Sequence, residues 1–309
     1  MKKYAVIDIG TTKIKTLIAS VSPTGVLVQH YFSNILACFG CEMDKNNGNV
    51  KEEYIQRTLD ELARVKKVIK EHNVYKYKIV STHAMRRAKN KEEIKKRIWN
   101  ELHLKVVDIP QEQEALLFFQ AVMKTFHTKK DYAIVDMGGG SVQVLIGNST
   151  TLKQARLMQT GSEYLHTNFT IDCENPHGFT KEEDIEKMRT YILKELVHLE
   201  GKENIPIIYG SSNIIDLMKA IHIPLDAHKA SSAHPYKTYA QYLQEFMKKV
   251  LPLSYAEREK TFQFQKGYMW GVDKAFLNII TIADILKSPY IIPSNANIAQ
   301  GVIYSMMNE

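Results

Sequence analysis

Cysteine is scarce, with three in 309 residues: Cys38, Cys41 and Cys173. An odd, low count argues against a disulfide framework and suits a reducing compartment. Cys38-Phe39-Gly40-Cys41 has no second ligand pair at matching spacing, so it does not read as a structural zinc site, and it lacks a thioredoxin-like context. Long apolar runs are absent as well. The stretch after Met1-Lys2-Lys3 is broken by Asp8 and Gly10 and does not read as the core of a secretion signal, and no run approaches the ~20 residues of a spanning helix. A cytoplasmic protein without a membrane partner is expected. At 44% hydrophobic and 24% charged residues, the composition lies away from disordered and fibrous extremes. A chain of this length is expected to form two domains, at roughly 150 residues each, with cores that need no crosslinks. The formal charge of +7 suits a polyanionic partner.

The pattern along the chain predicts the same order of elements twice. Tyr4–Gly10 reads as a buried strand ending in a turn, Lys15–Val21 as a returning strand, and Val26–Tyr31 as a third. Ile55, Leu59, Leu62 and Ile69 recur at helical spacing over Lys51–His72. Tyr77–Thr82 and Val106–Ile109 read as strands, Lys91–Leu102 and Gln111–Thr125 as helices. The second round opens with a strand at Tyr132–Gly138, a return at Ser141–Gly147 and a third strand at Leu152–Met158. A helix is expected to start at Thr180 with a capping box, since Glu183 lies three residues on. Ile205–Tyr209 reads as a strand, and the last third as largely helical through Tyr236–Val250 and Phe262–Leu286. The boundary is expected near residues 124–131. The first domain is then 1–124, joined by a C-terminal helix at 298–309, and the second is 125–297.

Each half opens on an Asp-x-Gly turn: Asp8-Ile9-Gly10 and Asp136-Met137-Gly138. A glycine-rich turn lets backbone N–H groups converge on a phosphate without side-chain bulk in the way. Gly138-Gly139-Gly140-Ser141 suits that task and adds a hydroxyl, and Gly10-Thr11-Thr12-Lys13 suits it with Lys13 as counter-charge. Aspartates beside such turns suit a divalent cation such as magnesium, which favours carboxylates together with phosphate oxygens.

These residues resemble the exopolyphosphatase and guanosine pentaphosphate phosphatase family, within the actin, hexokinase and Hsp70 superfamily. The resemblance is carried by Ala5–Gly10, Ser81-Thr82-His83-Ala84-Met85-Arg86-Arg87-Ala88, Asp136–Ser141, the stretch from Leu253-Ser254 through Glu257-Arg258 to Phe262, and Gly301-Val302-Ile303-Tyr304. It implies an α/β fold of two RNase H-like, actin-like ATPase superfamily domains with an interdomain cleft, in the short form without an additional C-terminal domain. It implies a cytoplasmic hydrolase that releases terminal phosphate from inorganic polyphosphate with magnesium or another divalent cation. Glu114, before Ala115, matches the family's general base, and Arg86 matches an arginine that holds phosphate. Gly10, Thr11, Thr12, Lys13, Gly138, Gly139, Gly140, Ser141, Gly210, Ser211 and Ser212 are the further phosphate-binding candidates. Asp8, Asp136 and Gln143 are the metal candidates. The implied partner is polyphosphate or guanosine penta- or tetraphosphate and not nucleic acid, with a homodimer left open.

The chain departs from the family pattern in several places. Thr11-Thr12-Lys13 replaces Ser-Asn-Ser, a version closer to the bacterial cell-division actin homologue. Gln143 stands for a glutamate of the metal site, and Leu116 for an arginine after the Glu-Ala pair. A later phosphate loop is reduced to Gly210-Ser211-Ser212-Asn213, and the Cys38–Glu42 loop lacks a basic residue. Three readings follow: a polyphosphate or guanosine pentaphosphate hydrolase, a sensor that binds such ligands without hydrolysis, and an ATP-driven actin-like or sugar-kinase-like protein, which has no clear adenosine-binding motif to support it.

Overall fold

The computed structural model describes residues 1–170, 175, 177–199, 202–229 and 231–308; Cys173 lies outside them. The chain forms two units, one of Met1–Lys124 with Asn297–Glu309 and one of Thr125–Ala296. The first contains β1 (Tyr4–Ile9), β2 (Lys13–Val21), β3 (Leu27–Leu36), α1 (Glu52–Glu71), β4 (Lys76–Ser81), α2 (His83–Arg87), α3 (Lys91–Leu102), β5 (Val106–Asp108) and α4 (Gln111–Met123). The second contains β6 (Tyr132–Met137), β7 (Val142–Gly147), β8 (Leu152–Met158), α5 (Ser162–Phe169), α6 (Glu182–Leu196), β9 (Ile207–Gly210), α7 (Ile214–Ala220), β10 (Asp226–Ala227), β11 (Tyr236–Lys237), α8 (Ala240–Val250), α9 (Tyr255–Thr261), α10 (Val272–Ile285) and β12 (Ile291–Ser294). The last helix, α11 (Ile298–Met307), belongs to the first unit.

The first sheet has the order β3-β2-β1-β4-β5, and the second β8-β7-β6-β9-β12. In both, the opening three strands form an antiparallel meander, and the first of them also pairs in parallel with a later strand. The same strand order, an RNase H-like topology, is present twice.

Side-chain alternation in β1 separates two cores. Ile7 and Ile9 join Leu59 and Leu62 of α1 and Ile94 and Ile98 of α3. Val6 joins Val80, Leu117 of α4, and Ile298, Val302 and Ile303 of α11. Asp8 has the parity of Val6, so it shares the sheet face covered by α4 and α11. These two helices meet at Gly301, where an added Cβ would lie 2.1 Å from the Leu117 carbonyl oxygen. Backbone contact that close demands glycine.

One expectation fails and another shifts its bounds, both for tertiary reasons. Thr180 does not cap α6. That helix begins at Glu182 after Lys181, whose N–H donates to Asp184 Oδ2 at 3.3 Å. Thr180 is buried, and its hydroxyl donates to Asp273 Oδ2 at 2.5 Å. The stretches expected to be largely helical, Tyr236–Val250 and Phe262–Leu286, do hold helices, but each starts later than expected. Tyr236 and Lys237 are strand, and Thr238 exchanges backbone hydrogen bonds with Ile291 of β12 at 2.7 and 2.8 Å, holding the segment extended until α8 begins at Ala240. Residues 262–271 form turns, with Gly267 at φ +75°, and α10 starts only at Val272.

Candidate functional site

In the first unit, the candidates gather at the C-terminal ends of the parallel strands β1, β4 and β5, where open α/β sheets take their ligands. Gly10 N–H donates to Lys13 O at 3.0 Å and closes the turn. The Thr11 carbonyl accepts from Gly40 N–H at 2.7 Å, and the Thr12 carbonyl accepts from Ala37 and Cys38 N–H at 3.0 and 2.8 Å. In a trans peptide the next N–H points opposite to the carbonyl. The Thr12 and Lys13 N–H groups are therefore turned away from the 37–40 loop. Gly40 is needed for this contact, since a Cβ there would lie 2.5 Å from Ala84 Cβ and 2.9 Å from Thr11 Cγ2.

The end of β1 meets the start of α2 through Thr82 N–H, which donates to Ile9 O at 3.3 Å, and β5 leaves beside β4 through Ile109 N–H to Ser81 O at 3.0 Å. Pro110 then sets the entry to α4, whose first turn carries Glu114. This brings Arg86 and Glu114 together. Arg86 Nη1 donates to Glu114 Oε2 at 2.8 Å and to Ile109 O at 2.6 Å. Glu114 is buried, and Arg86 Nη2 is buried without a hydrogen-bond partner among the described residues. Asp8 Oδ2 lies 4.0 Å from Lys15 Nζ, its partner across the β1–β2 ladder, and Asp8 Oδ1 is a buried acceptor without a hydrogen-bond donor among the described residues. Burial pushes the Asp8 carboxyl above its ordinary value, against the opposing pull of Lys15 and Arg86. Leu116 is exposed at 46%, turned to solvent on the same helix whose Glu114 is buried.

The second unit repeats the bond that closes the turn, while its outward carbonyl contacts fall one residue earlier. Gly138 N–H donates to Ser141 O at 3.0 Å, as Gly10 does to Lys13. The Gly138 carbonyl accepts from Ser162 N–H at 3.2 Å, and the Gly139 carbonyl accepts from Glu163 and Tyr164 N–H at 2.8 and 3.0 Å. The unsatisfied amides at the start of α5 are thus closed by the turn. The same peptide geometry aims the Gly139 and Gly140 N–H groups away from α5, a donor pair suited to an anion. Asp136 lies opposite Gln143 in the β6–β7 ladder and beside Gly210 in the β6–β9 ladder. Gln143 Nε2 donates to Ser141 Oγ at 3.0 Å. Ser211 N–H reaches Ser294 O at 3.4 Å, and Tyr268 donates its hydroxyl to Ser212 O at 3.2 Å. Lys15 and Gln143 thus hold equivalent ladder positions opposite Asp8 and Asp136.

The sequence reading omitted α5 and Gly161, which clamp the glycine turn. Gly161 precedes Ser162 immediately after β8, a local sign of a helix start. It also omitted the buried cluster of Arg258, Asp273, Lys274 and Thr180. Arg258 Nη1 and Lys274 Nζ each lie 3.0 Å from Asp273 Oδ2. An adjacent Asp-Lys pair inside the apolar run of α10 was the available signal.

The strand-end carboxylates suit a divalent cation of the magnesium type, which keeps several waters and is held by one or two carboxylates plus substrate phosphate oxygens. Asp8 carries a buried, undonated oxygen, and Asp136 is half-buried at the end of β6. Among the described residues, no three His, Cys, Asp or Glu side chains form a cage by themselves.

The sequence pattern of the Ppx/GppA phosphatase family matches residues 39–309. The chain belongs to that family. The matched region excludes the Gly10–Lys13 turn. An exopolyphosphatase structure from Cytophaga hutchinsonii superposes with a TM-score of 0.85 at 23% identity, over 99% of this chain and 98% of that one. A PPX-GPPA enzyme of Aquifex aeolicus gives 0.77 at 25% identity, over 98% and 99%. A bifunctional 3-dehydroquinate synthase/phosphatase of Fusobacterium nucleatum subsp. nucleatum is 28% identical over 204 residues, which is 63% of this chain and 30% of that protein's length. Among the described residues, no helix of this Ppx/GppA family member is long and apolar enough to cross a membrane.

Proposed function

We propose that this Ppx/GppA family member is a hydrolase that releases terminal phosphate from inorganic polyphosphate by in-line attack of water. The observation that carries the reading is the Arg86–Glu114 pair at the strand ends of the first unit, with Arg86 Nη1 committed to the carboxylate and Nη2 without a hydrogen-bond partner among the described residues. Glu114 orients the water and accepts its proton. Arg86 Nη1 fixes the carboxylate, and Nη2 is the donor left for a phosphate oxygen. Within the first unit the Thr12 and Lys13 N–H groups are suited to stabilise charge on phosphate oxygens, and within the second the Gly139 and Gly140 N–H groups are suited to the same task. Gly210 ends β9 beside Asp136, and Ser211 and Ser212 follow it as further candidates for an anion of the second unit. Asp8 in the first unit, and Asp136 with the neutral Gln143 amide oxygen in the second, are the residues that would hold a divalent cation, which would offset the charge of phosphate oxygens. The basic surplus of the chain draws a polyanion, and guanosine pentaphosphate presents the same phosphoanhydride chemistry. A weakened or purely binding form is the second reading, favoured by the neutral Gln143 and the solvent-facing Leu116.

The test is phosphate release from long-chain polyphosphate with magnesium, for the wild type and Glu114→Ala. Loss of the base is expected to lower the rate by about 10²–10⁴-fold. Tight polyphosphate binding without release would select the binding reading. Release from ATP alone would count against both.

A further inference from the structure

We infer that Gln143 is a positioning residue that acts through Ser141, holding the serine hydroxyl so that its proton is offered to a phosphate oxygen. The inference rests on the phosphate-taking role of the Gly138–Ser141 turn stated above, and it specifies how that turn presents its donors to a phosphate oxygen.

The geometry is local and directional. Residues 141 and 143 are two apart at the start of β7, so their side chains share a face. Both are buried, at 4% and 1% exposure. Gln143 Nε2 donates to Ser141 Oγ at 3.0 Å. A hydroxyl has one proton to give. With Gln143 as the hydrogen-bond partner of the Ser141 side chain, that proton has no acceptor among the described residues. It becomes a third donor beside the Gly139 and Gly140 N–H groups. A hydroxyl that accepts from an amide is also polarised towards giving its own proton.

The amide also governs charge. Asp136 stands opposite Gln143 in the ladder. A carboxylate at 143 would place a second negative charge beside the turn, and having only acceptors, it would draw the Ser141 proton inward. The amide keeps the hydroxyl turned outward and limits the corner to the single charge of Asp136. A phosphate can then be held by donors, with less dependence on a cation.

The experiment measures tripolyphosphate binding by calorimetry in the presence of a chelator, using the full chain, with thermal unfolding recorded for every variant. Ser141→Ala is expected to weaken binding by about tenfold, as for a lost hydrogen bond to a charged group. Gln143→Met should weaken it several-fold, and the double variant should be no weaker than Ser141→Ala alone. Wild-type affinity in Gln143→Met, or losses that multiply in the double variant, would overturn the inference while leaving the phosphate reading of the turn intact. No binding by the wild type would overturn that reading too. If methionine is not accommodated, Gln143→Glu carries the same cycle: its loss must shrink in the Ser141→Ala background, and an undiminished loss refutes coupling through the serine.

Discussion

Gly161→Ala tests the link between fold and site most directly. The backbone of Gly161 is at φ −57°, a region open to alanine. On backbone grounds alone, the change would stabilise the protein by about 0.4–1 kcal/mol. The surroundings reverse that sign. A Cβ would sit 2.3 Å from Gly139 O, 2.4 Å from Gly139 C and 2.5 Å from Gly140 C, all backbone atoms of the glycine turn. Ordinary contact begins at 3.4 Å, so turn and helix must separate by about 1 Å. Overpacking of this kind costs ~1–3 kcal/mol. The N–H groups of Ser162, Glu163 and Tyr164 lose alignment with the Gly138 and Gly139 carbonyls, at ~0.5–1.5 kcal/mol each if fully lost. A combined destabilisation of about 2–5 kcal/mol follows, within the ~5–15 kcal/mol typical of a folded protein. On the proposed function, the folded variant should also release phosphate from polyphosphate about 10²-fold more slowly, because an anion site displaced by an ångström loses its alignment. Urea unfolding gives the first quantity and phosphate release the second. A Gly161→Ala protein as stable as wild type, or more so, would refute the clamp of α5 on the turn.

Two further outcomes follow from buried charge. Burial alone would raise the Asp273 carboxyl, but Lys274 and Arg258 pull it well below the usual range. Asp273→Asn leaves both cations at 0% exposure without their anion and should cost about 3–5 kcal/mol in urea unfolding; a loss below 1 kcal/mol would contradict the charge balance assigned to the cluster. His234 is lowered from 6.5 to about 4, by burial first and then by His228. The unfolded chain therefore binds the proton more readily, and the neutral ring's contribution is present above pH 6.5 and lost as pH falls towards 4, by up to roughly 3 kcal/mol. His234→Gln should flatten that acid limb of the stability profile, and an unchanged limb would show that another group produces it.

The repeated Asp-x-Gly turns, the strands that lead into them and the amphipathic α1 are written in the local sequence, because periodicity and glycine placement act over a few residues. Glu114 and Arg86 were legible as candidates, but their pairing was not. They lie 28 residues apart and meet only because β4 and β5 are neighbours in the sheet. Thr180 has the local pattern of a cap, yet a buried carboxylate from 93 residues away takes its hydroxyl. Likewise, Tyr236–Thr238 are held extended by an edge strand that no short pattern announces. The sequence by itself determined where phosphate-binding turns could form. Tertiary structure decided which way their peptide N–H groups face, since that direction is set by carbonyl partners on the 37–40 loop and on α5.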